Sequence, residues 1–419
     1  MSVKLLDFLS GLSGALDLVS PEVVGHHKRV AYIAVRLALA LGLTRTERTE
    51  LFMAGLLHDV GGFTVHSRLA ALQFEADGIL HAEVGYRLLR QNPLLDSVAI
   101  LVRHHHTPAG QFGSLKSAQG TPERALYLAN VLNLADRVDV LAVRYGPTDA
   151  KAMVEKLSAR AGAQFLPELV AVLPQMTADR DFWLGLACGD PAGLLTAETG
   201  LFEERGLSRG QLAQASRSYS QIIDFRSRFT ATHSCGVAEA AVQLGRLAGL
   251  EPREIDSMRL AGNLHDLGKL AVPGEILDKP GPLDEAERAV MLRHPELTAA
   301  ILGQVPGLEV VCAWASQHHE QLSGQGYPWG LGADSLTLGA RVLAVADVFT
   351  ALREDRPYRA GVSSTDSLRI MGRLVEAGHL DRDVVGLLAG HQREINARRR
   401  DTQAQASLEF REFYSGLGQ

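Results

Sequence analysis

The chain has 419 residues, 46% of them apolar and 21% charged, with a formal net charge of −6. That length supports two or three domains with sizeable cores, and the acidic balance excludes the basic stripe of a protein that binds DNA or RNA polymers. Cys188, Cys235 and Cys312 are isolated and odd in number, which excludes a disulfide framework and a cysteine-based zinc site and suits a reducing cytoplasm.

Along the chain, the N-terminal apolar residues are interrupted by Asp7 and Asp17 and no cleavage site follows. No stretch approaches the ~18 uninterrupted apolar residues of a membrane span, so a soluble cytoplasmic protein without a membrane partner is expected. Ser20-Pro21 reads as an N-cap with proline at the first helical position, and Gly42 closes a helix beginning near His26. Thr44, with Glu47 three residues on, forms a capping-box pattern that opens the helix carrying His58, and Gly61-Gly62 stops it. Helical periodicity continues over 284–303, 308–320 and 335–353, and no run shows sustained two-residue alternation. Glycine and proline cluster at 272–282 and 324–332, which predicts loops there. The expected fold class is all-α.

The chain also repeats itself. His26 and His58 are 32 residues apart, as are His233 and His265. Gly55-Leu56-Leu57-His58-Asp59-Val60-Gly61 pairs with Gly262-Asn263-Leu264-His265-Asp266-Leu267-Gly268. His81 then matches His294, the pair His104-His105 matches His318-His319, and Asp136 matches Asp347. Ala161-Gly162 before Leu169-Val170 resembles Ala377-Gly378 before Val384-Val385. A duplicated domain fits this better than a short-period solenoid. The reading is two tandem helical bundles at 1–175 and 222–390, a helical or loop connector at 176–221, and a polar C-terminal tail at 391–419.

Five histidines and two aspartates spread over several helices of the second half point to metal ligation, which bundles accommodate in their interiors. Imidazole and carboxylate without thiolate suit iron, manganese, zinc or nickel, and residue type alone does not choose among them. Asp266, beside His265, is the natural bridge. The working split puts His233, His265 and Asp347 on one cation, His294, His318 and His319 on the other, and Asp266 on both. Two cations ~3.5–4 Å apart could share a hydroxide nucleophile and clamp both oxygens of a phosphodiester displacement. The first half offers a second metal site from His26, His58, Asp59, His81, His104, His105 and Asp136. His27, His66 and His106 lack a counterpart and read as surface or supporting residues, while His379 and His391 fall outside the pattern.

Residues 222–390 resemble an HD-GYP domain, the phosphodiesterase branch of the HD superfamily of metal-dependent phosphohydrolases. The resemblance lies in His265-Asp266-Leu267-Gly268-Lys269, His318-His319-Glu320, Gly324-Gln325-Gly326-Tyr327-Pro328, Asp347-Val348-Phe349 and Asp355-Arg356-Pro357-Tyr358-Arg359. It implies an all-helical fold, two or three metals, and hydrolysis of a cyclic dinucleotide, usually cyclic di-GMP and in some relatives cyclic GMP-AMP. By the same resemblance Asp266 and Lys269 are catalytic, Lys269 contacting the scissile phosphate, and Tyr327, Arg356 and Arg359 also hold substrate. Members with a third metal often carry glutamate where this chain has Phe229, so two metals are expected, and Ser323-Gly324 replaces a common Asp-Gly.

Residues 1–175 resemble a plainer HD domain. Gly62 stands at the position of Lys269, His106 is read at that of Glu320, and neither the Gly-Tyr-Pro loop nor the Arg-Pro-Tyr-Arg segment recurs. This domain is therefore read as regulatory or weakly catalytic, with a homodimer or a protein signalling partner as its outlet. The competing readings are an HD-type nucleotidase or dNTP phosphohydrolase, and a non-catalytic nucleotide-binding effector.

Overall fold

A computed structural model of the chain describes residues 3–17, 24–62, 79–198, 200–203, 205–224, 232–355 and 360–415. Ser20-Pro21, His66, Phe229 and the segment Arg356-Pro357-Tyr358-Arg359 lie outside the described residues. What is described is almost wholly helical. The strands among those residues are two two-residue pieces, Val3–Lys4 and Gly206–Leu207. No described helix is long and apolar enough to cross a membrane. The chain divides into two compact units, one from Lys4 to Gly206 and one from Leu207 onward.

In the first unit the helix His26–Ala40 packs against Arg45–Leu57 and the long helix Glu123–Tyr145. Ile79–Leu89 and Asp96–His104 pair beside them. The expected capping box is present: the Thr44 side chain accepts from the Glu47 amide while Glu47 accepts from the Thr44 amide. The second unit repeats this arrangement. His233–Leu247 packs against Pro252–Leu264, Leu338–Arg353 and the helix Arg382–Tyr414. A capping box between Glu251 and Glu254 opens Pro252–Leu264 where Thr44 and Glu47 open the first-unit helix. The periodic run 284–303 breaks at Arg293 into Glu285–Leu292 and His294–Leu302, because Pro295 suits only the first turn of a helix.

Two boundaries differ from the sequence reading. The expected connector 176–221 is not a separate stretch. Its helices Arg180–Leu186 and Pro191–Thr196 fold into the first unit, burying Phe182 and Leu195, and Arg209–Asp224 folds into the second, burying Tyr219 and Ile222. The expected tail 391–419 mostly continues the helix Arg382–Tyr414, which kinks at His391. Ile395, Arg399, Ala406 and Phe413 are buried along it. In both places sparse apolar residues at helical spacing hide among polar ones and supply the buried face.

The duplication reappears as two close backbone approaches per unit. A Cβ at Gly55 would lie 2.5 Å from the Ala31 Cα, and one at Gly262 2.5 Å from the Ala238 Cα. A Cβ at Gly61 would collide with the His81 carbonyl, and one at Gly268 with that of His294. The glycines in and around the His-Asp motif thus let the motif's turn lie directly on the segment bearing the next histidine. Gly262→Ala is expected to force the helices His233–Leu247 and Pro252–Leu264 apart and destabilise the second unit by about 1–3 kcal/mol. Scanning calorimetry of the full chain should show one lowered transition.

Candidate functional site

Each histidine of the second unit's cluster sits where a helix starts or stops. His233 and His294 begin helices, His265 caps the end of Pro252–Leu264, and His318 and His319 lie in the turn after Glu309–Ser316. Asp347 projects from within Leu338–Arg353. Helix ends free the backbone to turn inward, so the histidines at four helix ends meet Asp347 from a fifth helix. Thr298 ties two of these ends together: its hydroxyl accepts from the Gly268 amide at 2.9 Å and donates to the His265 carbonyl at 3.0 Å.

Asp266 stands between two histidine sets. Its Oδ2 lies 3.4 Å from His265 Nε2 and 4.0 Å from His233 Nε2. Its Oδ1 lies 3.4 Å from His294 Nε2 and 3.9 Å from His318 Nε2. Asp347 Oδ1 is 3.2 Å from His233 Nε2 and 3.9 Å from His265 Nε2. The ligand atoms of His233, His265 and Asp347 lie within 4.8 Å of one another, as do those of His294, His318 and His319. Lys269 Nζ is 2.5 Å from Asp266 Oδ2, at the rim.

The first unit builds the same figure around Asp59. Its Oδ1 is 3.1 Å from His81 Nε2 and 3.8 Å from His105 Nε2, and its Oδ2 is 3.6 Å from His58 Nε2 and 3.9 Å from His26 Nε2. Asp136 Oδ1 lies 3.6 Å from His26 Nε2. One sequence-read member is displaced. His104 is outside this cluster, its Nδ1 facing the Thr107 hydroxyl at 3.5 Å, whereas His106 Nε2 lies 3.0 Å from His81 Nε2 and joins Asp59, His81 and His105. His105 and His106 therefore correspond to His318 and His319, and Thr107 rather than His106 takes the place of Glu320. The missed signal was spacing: His81 to His105 is 24 residues, as is His294 to His318. The register is fixed by the ring nitrogens, since His105 Nδ1 lies 2.6 Å from the Val102 carbonyl and His318 Nδ1 2.7 Å from that of Ala315, each three residues back.

These residues fit cations. Ligands bonded at about 2.0–2.2 Å to one ion stand roughly 3–4 Å apart, which is the separation seen here. Among the described residues His265 Nε2, Asp266 Oδ1 and Asp59 Oδ1 are buried without a hydrogen-bond partner, a costly condition that a cation would relieve. The protonation states of His294, His318 and His319 also suit ligation. Burial lowers the pKa of His294 to about 3 and of His319 to about 4, and holds His318 well below its usual value, so these rings are neutral. Burial opposes ionisation of Asp266, but His265 and Lys269 outweigh it and keep the carboxyl well below its ordinary range. Burial likewise opposes charge on His233, yet Glu354 and Asp347 overcome it and raise the pKa to about 10, marking a pocket with surplus negative charge.

Residues beyond the two clusters shape the site, and several carried no signal in the sequence. Glu320 accepts from the Trp329 amide at 2.8 Å and the Leu331 amide at 2.9 Å, clasping the loop that carries Tyr327. The Tyr327 ring stacks on His319, centroids 4.8 Å apart. Arg137, buried, donates to Asp136 Oδ2 at 2.6 Å, where the second unit has Val348. Glu354 lies 2.8 Å from His233 Nδ1, and Asp139 2.7 Å from His26 Nδ1. Arg356 and Arg359, expected at the substrate phosphates, are outside the described residues.

This double set of His-Asp centres defines a protein with two HD domains, and comparison with known families finds an HD domain at residues 23–141 and another at 217–384. The chain belongs to the HD superfamily, in its branch of HD-GYP-type phosphodiesterases. It is 31% identical over 396 residues to 3'3'-cGAMP-specific phosphodiesterase 1 of Vibrio cholerae, covering 91% of this chain and 90% of that one. A cyclic di-GMP phosphodiesterase of Pseudomonas aeruginosa is 40% identical over 160 residues, 37% of each chain. The crystal structure of the V. cholerae cyclic GMP-AMP phosphodiesterase V-cGAP3 shares the fold, with a TM-score of 0.64 at 24% identity over 94% of this chain and 98% of that one.

The first-unit register has a direct test. With the second site disabled by Asp266→Ala, His106→Ala is expected to lower the cation content of the purified chain and His104→Ala to leave it unchanged. Elemental analysis of the two variants decides, and the reverse pattern would restore the pairing of His104 with His318.

Proposed function

We propose that the second domain hydrolyses a phosphodiester of a cyclic dinucleotide, with 3'3'-cyclic GMP-AMP as the preferred substrate. The observation carrying this reading is Asp266, whose two oxygens face two histidine sets while Lys269 contacts one of them from the rim. The ligands would be His233, His265 and Asp347 for one divalent cation and His294, His318 and His319 for the other, with Asp266 shared. When bound, such a pair supplies Lewis acidity at the phosphodiester and a nucleophile at neutral pH. Iron or manganese suits this nitrogen- and oxygen-rich set best, with zinc or nickel as substitutes. Lys269 would stabilise charge developing on the phosphate oxygens. Tyr327, braced on His319 in the loop held by Glu320, would line the pocket for a base or sugar, and Arg356 and Arg359 would hold the phosphates. The preference for cyclic GMP-AMP rests on the V. cholerae relative that matches nearly the whole chain, and cyclic di-GMP is the competing substrate, favoured by the higher identity to the P. aeruginosa relative over a shorter stretch of 160 residues.

The first domain is assigned a cation-binding regulatory role. Gly62 replaces Lys269, Thr107 replaces the loop-clasping Glu320, and Arg137 already pairs with Asp136.

Anaerobically purified protein, with its cations counted, is expected to linearise cyclic GMP-AMP faster than cyclic di-GMP; inertness toward both in a cation-loaded sample would favour the nucleotidase reading. Asp266→Ala should abolish turnover and lower the cation count, while Lys269→Ala should keep the cations and lower kcat by about 10²–10³-fold. Asp59→Ala should leave the second-domain chemistry largely intact, and complete loss in a folded, loaded variant would place the chemistry upstream or require both domains.

A further inference from the structure

Metal-ligating histidines generally need a partner on the other ring nitrogen to fix tautomer and orientation. His265, His294 and His318 obtain one locally, each Nδ1 lying 2.7–2.9 Å from the backbone carbonyl three residues back. His233 starts its helix, and its Nδ1 instead faces the Glu354 carboxylate at 2.8 Å. In the first domain His26 also starts its helix and faces a carboxylate, Asp139, at 2.7 Å. The two carboxylates are not equivalent. Asp139 lies three residues after Asp136, on the same helix face, and in the second domain that position is Thr350. Thr350 is fully buried, and its hydroxyl has no hydrogen-bond partner among the described residues. Glu354 reaches the same nitrogen from beyond the end of Leu338–Arg353. It is held in turn by Gln403, whose Nε2 donates to Glu354 Oε1 and, at 3.0 Å, to the Thr232 carbonyl. Gln403 belongs to the helix Arg382–Tyr414, past residue 384 where the family match ends.

The geometry points to Glu354 as the positioning residue for His233, clamped by Gln403, replacing a helix carboxylate that the first domain retains as Asp139. This rests on the reading of His233 as a cation ligand. Glu354 touches neither cation nor substrate in this role. It accepts the Nδ1 proton, so that Nε2 presents its lone pair toward Asp347 and Asp266. The C-terminal helix is then part of the metal centre rather than an appendage to it.

The test measures cation affinity of the second domain by chelator competition, in full chains whose first site is disabled by Asp59→Ala. Glu354→Ala is expected to weaken binding by about 10–100-fold. Glu354→Gln, whose amide oxygen can still accept from Nδ1, should bind like the parent, and Thr350→Asp added to Glu354→Ala should recover most of the loss. Parent-like affinity in Glu354→Ala would overturn the inference. So would a loss repaired by neither the Gln variant nor Thr350→Asp, since that pattern marks general destabilisation. Asp266→Ala separates this from failure of the underlying reading: if it too leaves affinity unchanged, the cations are not bound by this cluster at all.

Discussion

One carboxylate in each domain organises the rest. Asp266 and Asp59 are buried with their two oxygens turned to opposite histidine sets. Burying a carboxylate is costly unless it is compensated, and the surrounding fold is shaped by that compensation. Helices end where their terminal side chains can turn inward, glycines let the His-Asp turn lie on the next histidine's backbone, and Thr298 fastens that turn in the second domain.

The two copies keep this arrangement and differ in what encloses it. Around Asp266 stand Lys269 at the rim, a clasped loop bringing Tyr327 over His319, and Thr298 in the position that Gly85 fills upstream. Around Asp59 there is Gly62, and the neighbouring Asp136 is already tied to a buried arginine. The duplicated His-Asp cluster thus persists while the residues enclosing it differ.

Most of this was legible in the sequence because residue type and spacing carry it. Nitrogen and oxygen ligands recurring at 32 residues, glycine beside each His-Asp pair, and capping residues ahead of the ligand helices all reflect local chemistry. The sequence is ambiguous where local chemistry permits two readings. Three consecutive histidines, His104 to His106, offer two registers to a paired motif, and neighbouring residues on a helix point about 100° apart. The spacing from His81 resolves the register, whereas the appearance of a histidine pair does not. The helical arm after residue 390 was obscured by its polar composition, since only a few residues on its buried face are apolar. Glu354 had no signal of its own, being an acidic residue in a charged stretch whose partner in space, His233, is 121 residues away.

The carboxylates behind His26 and His233 come from different places in the two domains. The requirement is an acceptor at Nδ1, not a particular residue, and any element that reaches the nitrogen can meet it. In the first domain the ligand helix meets it itself, through Asp139, which also pairs with Arg29 at 2.6 Å. In the second domain the acceptor comes from a loop and is steadied by a helix that closes the unit. That couples the geometry of the centre to the packing of the C-terminal helix, a dependence absent from the first domain's more local solution. The cost is an unsatisfied hydroxyl at Thr350, a penalty of the order of 1–3 kcal/mol for a buried polar group. The second domain carries this penalty in the same unit that holds Lys269 and the clasped Tyr327 loop, consistent with a site whose arrangement is set by chemistry more than by stability.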